Sequence, residues 1–447
     1  MNEDPDLFFG LVLSLLLAIV GSLMLLVTRR NKSTLRFQVR LFLVAFAARA
    51  AMSVVIYQFG LVRFLGDEDS SGWFAGVSLR YEWTRRGIAL LDLPSVLIGA
   101  FEGHHQGYGY LLGALFYITD APSRLPAAAL NCFFGALTVV LAYRIARALF
   151  SEWVAVRVAW FACLFPSLII WSSQTVKEPV VILLEMVALY GCVNLKLSGF
   201  SLKYILLCGL AIVLIIPFRF YAAYIAGAAI ALSLVLPLIT RGKWSIGAMV
   251  GMAAVVVPIV LVSGVLVQHE AEFERFDLEQ IQSFRINIAK GTGSGIESDY
   301  DLHTPEGFGL ATLVGGAHLL LAPFPWQVAS GSLRMLVTLP EMLVWWWLFF
   351  IGVVPGLLYT VRRRFNDIQP LLFFTIGLGL LYSVMFGNIG LIYRQRAQLL
   401  PYLLVFAAVG LEQRTIKRLA ARKLRNHTGM VVGVYRSNAH VTTRPLG

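Results

Sequence analysis

The 447-residue chain is 58% hydrophobic and only 14% charged, with a formal net charge of +12. Soluble domains carry roughly a quarter of their residues as charges, so this composition excludes an ordinary water-soluble enzyme and points to a chain that crosses a membrane many times. The excess of Lys and Arg does not describe a nucleic-acid surface, because it falls in short loops and in the C-terminal segment, where it acts as a topology signal.

Apolar windows of about 20 residues recur along the whole length, each long enough to cross a hydrocarbon core of about 30 Å as a helix. The expected fold is therefore an all-α polytopic membrane domain over residues 1–425, with no separate soluble domain. No cleavable leader is expected, since the N-terminus lacks a basic segment and the apolar run from Leu7 to Val27 is too long for a signal core. Cys132, Cys163, Cys192 and Cys208 all fall within apolar spans and read as packing residues.

The first span, Leu7 to Val27, is preceded by acids and followed by Arg29, Arg30, Lys32, Arg36 and Arg40, which places the N-terminus outside. The second span, about Leu41 to Tyr57, then leads outward to Asp67, Glu68 and Asp69. Carboxylates just outside the hydrocarbon stay hydrated and ionised, so this triplet is expected to edge a catalytic site. The competing reading is that Asp69 or Ser70 caps a short helix through Trp73. From Leu65 to His105 aromatic and basic residues alternate, as in short helices lying in the headgroup layer.

Gly107 to Thr119 is too short to span and is expected to dip from the outer side. With that parity, Leu125 to Leu149 runs inward and delivers Arg144, Arg147 and Arg157 to the cytoplasm. Val158 to Trp171 rises to present the Ser172 to Glu178 turn, and Pro179 to Tyr190 returns. Lys196 and Lys203 mark the next inner loop, Pro217 to Tyr221 the next outer one, and Arg241 with Lys243 the next inner one. Ile246 to Val267 then rises to a polar insertion at about Gln268 to Gly307, where Phe273, Phe276, Ile281 and Phe284 among charged residues predict an interfacial amphipathic helix. Gly291 to Gly295 lacks the Lys-Ser/Thr and the preceding strand of a phosphate loop and reads as a hinge.

Gly309 to Leu321 predicts a second dip. The span through Trp345, Trp346 and Trp347 descends to Arg362, Arg363 and Arg364, and Leu371 to Phe386 rises to an outer loop from Gly387 to Arg396. The last span, about Leu399 to Val409, ends in a basic stretch from Arg414 to Arg425, and residues 426–447 are expected to form a disordered cytoplasmic tail. The total is about 11 spans, with the N-terminus outside and the C-terminus inside.

In this topology the outer face gathers the residues able to do chemistry. Cations there depart from the positive-inside tendency, and a lipid phosphate is the natural partner: Arg394 and Arg396, two apart in a loop, with Lys177 and Arg219, can grip it by charge-assisted hydrogen bonds. The competing reading is that these side chains snorkel to ordinary headgroups. His104 and His105 lack zinc-site spacing and, with Gln174, Glu178 and Tyr393, are expected to bind substrate. Charges within spans are few, Glu185 and Arg49 being the clearest.

Several stretches together resemble the GT-C superfamily of polytopic glycosyltransferases, which includes protein O-mannosyltransferases, aminoarabinose transferases of lipid A and oligosaccharyltransferases. The likeness is carried by Gly66-Asp67-Glu68-Asp69 with Trp73, by His104 to Tyr108 opening a short apolar helix, by Leu125-Pro126 through Asn131 to Tyr143 to Phe150, and by Pro166-Ser167 with Trp171 to Glu178, similar to a second outer loop where relatives carry an acidic residue. It covers about residues 40 to 195. Two departures stand out. One additional span precedes the family's usual first helix, and the aromatic spacing fits Asp69 better than Asp67, leaving the catalytic acid open within the triplet.

What the resemblance implies is a bacterial inner-membrane glycosyltransferase, acting on the outer face with a polyprenyl-phosphate sugar donor and an acceptor hydroxyl on a glycan, lipid or protein. Asp67 or Asp69 would be the general base, and direct displacement would invert the anomeric centre. No nucleotide or other cofactor is required, and a divalent ion at the triplet is left open. The alternatives are a polymerase or ligase of lipid-linked surface polysaccharide, which needs the outer arginines but no acidic base, and a carrier or flippase of lipid-linked sugars, which needs polar residues lining the membrane interior.

Overall fold

The computed structural model describes residues 7–28, 32–65, 70–101, 106–199, 201–241, 278–290, 295–296, 300–329, 333–385 and 387–441. Among these the chain is all-helical, with no strand beyond an isolated bridge between Gly295 and Asn388. Asp67, Glu68, Asp69, His104, His105 and the span expected at Ile246 to Val267 lie outside the described residues.

Two N-terminal helices, α1 (Leu7–Val27) and α2 (Lys32–Gln58), pack on α7 (Arg124–Leu149). Gly10 of α1 sits directly on Leu125 and Gly21 on Phe42, so both glycines permit helix contacts that a Cβ would block. The segment expected to lie in the headgroup layer folds as α3 (Val62–Leu65), α4 (Ser70–Arg86) and α5 (Leu93–Leu97), the last between two 3₁₀ turns. The first expected dip is α6 (Gly107–Thr119), which packs on α4 through Gly76, Gly109 and Gly113.

Next come α8 (Glu152–Leu164) and α9 (Pro166–Ser172), one broken rod bent by 54° at Phe165. Pro166 ends α8, since a proline lacks the N–H that would continue it, while its fixed φ suits the first turn of α9. Helix α10 (Glu178–Ser198) follows, then α11 (Leu202–Arg241), which is interrupted at Arg219 by a non-helical residue. Its two halves run oppositely: Tyr204 meets Tyr190 and Cys208 meets Ala188, Arg219 reaches Glu178 at the start of α10, and Ser233 returns to Lys196 near its end.

The C-terminal part comprises α12 (Leu278–Lys290), α13 (Pro305–Leu321), α14 (Pro325–Ala329), α15 (Leu333–Leu348), a π turn at Phe349–Val353, α16 (Val354–Met385) and α17 (Ile389–Val441). A break at Arg364 folds α16 back, for Gly356 lies on Phe406 and Gly410 whereas Tyr382 reaches Gln398. Among the described residues, seven helices are long and apolar enough to cross a membrane, eight with the bent α8–α9 pair as one span. Two of these, α11 and the α15–α16 rod, are broken within and double back at Arg219 and Arg364. The chain is therefore a multi-pass membrane protein, and α6 and α13, at 13 and 17 residues, are shorter than these helices.

The basic loops assemble at one end of the bundle. Arg144 donates to Thr28, Arg147 to Thr34, Arg364 to the Leu149 carbonyl, Lys196 to Gln369, and Ser151 pairs with Glu412. The loops read from charge as lying on one side thus share one end of the bundle. The four cysteines are buried in the packed core without disulfides.

Three local expectations differ. The outer loop ending at Arg396 is helical from Ile389, and α17 continues to Val441, through the segment expected to be a disordered tail. Strong helix formers between Leu411 and Arg425 carry it onward. In α12, Arg285 is buried with Ile281 instead of facing water; it packs against Gly387, and burial pulls its pKa below the usual arginine range.

Candidate functional site

Buried charges cluster where helices begin, break or end, because in an apolar medium each free backbone group at a helix terminus needs a partner. Glu178 is the first residue of α10 and is 1% exposed. Its Oε1 accepts from Arg219 Nη2 at 2.9 Å and its Oε2 from Arg394 Nη2 at 2.8 Å. Two buried guanidinium groups thus share one carboxylate, which itself favours the positive end of α10.

The two arginines differ in availability. Arg219 Nη1 also donates to Tyr382 at 2.8 Å, to Gln395 at 2.7 Å and to Gln398, so both terminal nitrogens of this guanidinium are held by neighbouring side chains. Arg394 keeps 11% of its side chain exposed and lies over the Trp171 ring at 5.9 Å. Lys177, half-buried, adds a further positive charge beside Glu178. The polar chain continues inward: Gln398 donates to Glu185 Oε1, and Tyr402 donates to Glu185 Oε2.

Arg396 takes another path. Because Ile389 to Arg396 is helical, positions two apart face opposite ways, and Arg394 and Arg396 do not converge on one point. Arg396, 1% exposed, donates to the Ala322 carbonyl at 2.7 Å and packs on Met342 and Tyr393. Ala322 closes the C-terminus of α13, whose preceding carbonyls of Leu320 and Leu321 accept from Trp345 and Trp346. Three side-chain donors therefore cap a helix that stops inside the protein, with the cation at the negative end of its dipole.

The α8–α9 break is served in the same way. Arg49 donates to the carbonyls of Ala162 at 3.2 Å and Cys163 at 3.3 Å, the last turn of α8, and to Ala45 in its own helix. On the other side of the break, Glu341 of α15 faces Ser167 in the first turn of α9 and accepts from Tyr393 at 2.8 Å.

The turn before Glu178 is held by Asn131 of α7, whose amide donates to the Gln174 carbonyl at 2.6 Å, the Val176 carbonyl at 2.7 Å and the Tyr108 hydroxyl at 2.9 Å. Gln174 is buried and bonds back to Ile170. Thr175 receives Tyr57, at the end of α2, and Arg124, which also covers the Trp73 ring at 3.7 Å. Of the described residues on either side of the acidic triplet, Tyr57 therefore bonds the Thr175 turn directly, and Trp73 is linked to it through Arg124. Elsewhere on this part of the chain, the His303 backbone N–H and then its ring hold the Asp301 carboxyl below the usual carboxylate range.

Of the residues singled out from sequence, the structure brings together Lys177, Glu178, Arg219 and Arg394, with Tyr393, Gln174 and Arg396 nearby on the same elements. Sequence reasoning missed Asn131 as the pin of the turn, Tyr382, Gln395 and Gln398 as holders of Arg219, and Glu341. The available signal was periodicity: Arg394, Gln395 and Gln398 are polar positions at helical spacing within an apolar span, as are Glu178 and Glu185 on α10. Among the described residues no three His, Cys, Asp or Glu side chains gather as a metal site.

No protein-family model and no curated protein matches the sequence. Solved structures with a similar outline include the oligosaccharyltransferase AglB of Archaeoglobus fulgidus with an inhibitory peptide and a dolichol-phosphate, at 15% identity and a TM-score of 0.43 over 71% of this chain and 43% of that one. The Archaeoglobus fulgidus oligosaccharyltransferase tethered to an acceptor peptide gives 18% and 0.41 over 72% and 42%. Its apo form gives 15% and 0.45 over 87% and 52%. The present chain spans about half the length of these proteins.

Proposed function

We propose that the chain is a glycosyltransferase of GT-C type that passes a sugar from a polyprenyl-phosphate carrier to an acceptor hydroxyl on the extracytoplasmic face of a bacterial inner membrane. The observation that carries this reading is the cationic group around Glu178, fixed on the segment that resembles the family's second outer loop and at the end of the bundle opposite the basic loops. In this orientation the N-terminus is outside and the C-terminus cytoplasmic.

The roles follow from availability. Arg394 and Lys177 meet the leaving phosphate, and Arg219 acts through Glu178 by holding the carboxylate that aligns Arg394. Arg396 supports the floor of the site through α13. Asp67 or Asp69 takes the acceptor's proton, with Glu68, His104, His105, Gln174 and Tyr393 contributing substrate contacts. The acceptor oxygen bonds to the anomeric carbon as the bond to phosphate breaks, and polyprenyl phosphate leaves. No cofactor takes part unless a divalent ion joins the triplet, which chelation before assay would reveal.

The test is to incubate purified protein with polyprenyl-phosphate sugars and an acceptor, and to measure release of polyprenyl phosphate. Absence of release with every donor would reject the reading. One observation favours a second reading: Glu178 is spent on two arginines, so the described part of the site offers cations and no free base there. A polymerase or ligase of lipid-linked polysaccharide needs just that, and it gains if Asp67→Asn and Asp69→Asn both remain active.

A further inference from the structure

Helices α1, α2 and α7 enclose a cavity of about 150 Å³ toward their ends remote from the basic loops. Small side chains account for it: Gly10 and Ser14 of α1, Ala50 and Ser53 of α2, and Ala129 of α7 line the space. Ser53 and Ala129 on its deep wall are buried, whereas Leu11 and Ala51 at its rim are exposed within spanning helices, so the cavity opens sideways to the bilayer. Helix α1 runs from Leu7 to Val27, about 30 Å at 1.5 Å per residue, and its far end meets Arg144 through Thr28. Gly10 and Ser14 therefore lie within about two turns of the opposite membrane boundary.

One polar atom of the lining has no hydrogen-bond partner. It is Ser53 Oγ, on a residue only 2% exposed. Other serines of the spanning helices, Ser14, Ser22, Ser233 and Ser383, donate to the carbonyl four residues back. For Ser53 that carbonyl belongs to Arg49, where the helix's own N–H takes one lone pair and the Ser173 hydroxyl, at 2.9 Å, takes the other. The turn after α9 thus removes the acceptor that Ser53 would use, and a buried hydroxyl left unpaired is costly.

The lining fixes the class of guest. An apolar cavity of this size accommodates about six carbon atoms, and one hydroxyl on its wall asks for one acceptor. Among the described residues no charged side chain lines the space, so it does not suit an ion. An isoprenoid chain would fill the volume but carries no oxygen along its length. A fatty-acyl ester meets both demands, because its methylenes fill the cavity and its carbonyl, lying just below the headgroups, accepts from Ser53.

We infer that this cavity binds a glycerophospholipid of the surrounding bilayer by one acyl chain, with the ester carbonyl on Ser53 Oγ. A lipid lodged there packs against the helix end whose Tyr57, one turn beyond Ser53, accepts from the Thr175 N–H.

The experiment is native mass spectrometry of the full chain in detergent, titrated with a diacyl phosphatidylethanolamine and with its diether analogue, which has the same chains and headgroup but no ester carbonyl. Wild type is expected to bind the diacyl lipid about three- to tenfold more tightly than the diether. Ser53→Ala should bind both lipids as weakly as wild type binds the diether, and Ser14→Leu, which fills the cavity, should lose the tight site for both. Each variant remains informative if the other fails to fold. Equal affinity of wild type for the two lipids, or a preference that survives in Ser53→Ala, would overturn the ester contact and the inference with it. Wild-type affinity in Ser14→Leu would place the lipid elsewhere and overturn it too. So would displacement of the phospholipid by polyprenyl phosphate, which would assign the cavity to an isoprenoid chain.

Discussion

Glu178→Gln tests the centre of the cationic group most directly. The substitution preserves volume and leaves a side chain able to accept from one arginine, but it removes the charge shared by Arg219 and Arg394, at 2.9 and 2.8 Å and in positions where the carboxylate is 1% exposed. Breaking a buried pair by deleting one partner costs about 3–5 kcal/mol, because the surviving charge is left uncompensated. An unfolding entropy of about 2.1 cal/mol/K per residue makes 1 kcal/mol worth roughly 1 °C for a chain of this length, so the melting temperature in detergent is expected to fall by about 3–5 °C. Adding Arg394→Gln should recover part of the loss, since it removes a cation that the first change stranded. A Glu178→Gln protein that melts with the wild type, or a double variant that merely sums the two single effects, would refute the pairing.

Other expectations concern the remaining charges. Arg49→Leu should destabilise the protein by about 1.5–3 kcal/mol and accelerate hydrogen exchange around Cys163, and Lys at this position should restore little, because one ammonium cannot reach the carbonyls that the guanidinium fork spans. Arg396→Ala should raise exchange at the end of α13 while polyprenyl-phosphate affinity falls less than in Arg394→Ala; the reverse order would make Arg396 the phosphate ligand. One of Asp67→Asn and Asp69→Asn should lower transfer by about 10²- to 10⁴-fold without changing carrier binding, measured as release and as retention of labelled polyprenyl phosphate.

Much of the fold was legible because hydropathy and loop charge report directly on membrane crossing. The α11 hairpin at Pro217 to Tyr221, the short α6 and α13, and the common end for the basic loops all follow from those two signals. The duties of the arginines did not. Arg394 and Arg396 are near neighbours in sequence, and only the helical start of α17 separates their directions. Arg49 reads as a stray charge in an apolar span until the break at Phe165, more than a hundred residues later, exposes carbonyls that it satisfies. Glu341 is hidden in the same manner, since its partners on α9 and α17 are remote in sequence.

The distance in sequence between Glu178 and Arg394 also sets a timetable for the growing chain. The two residues are 216 positions apart, and at about 5–20 residues per second the ribosome needs roughly 10 to 40 s to supply the second guanidinium after the carboxylate has emerged. Arg219 arrives much sooner, but its holders Tyr382, Gln395 and Gln398 belong to α16 and α17. During that interval the bundle carries polar groups whose partners have not yet been made, so a chain that stalls before α17 leaves Glu178 and Arg219 without those partners. Insertion of α17 closes the charge centre and supplies both missing sets of partners.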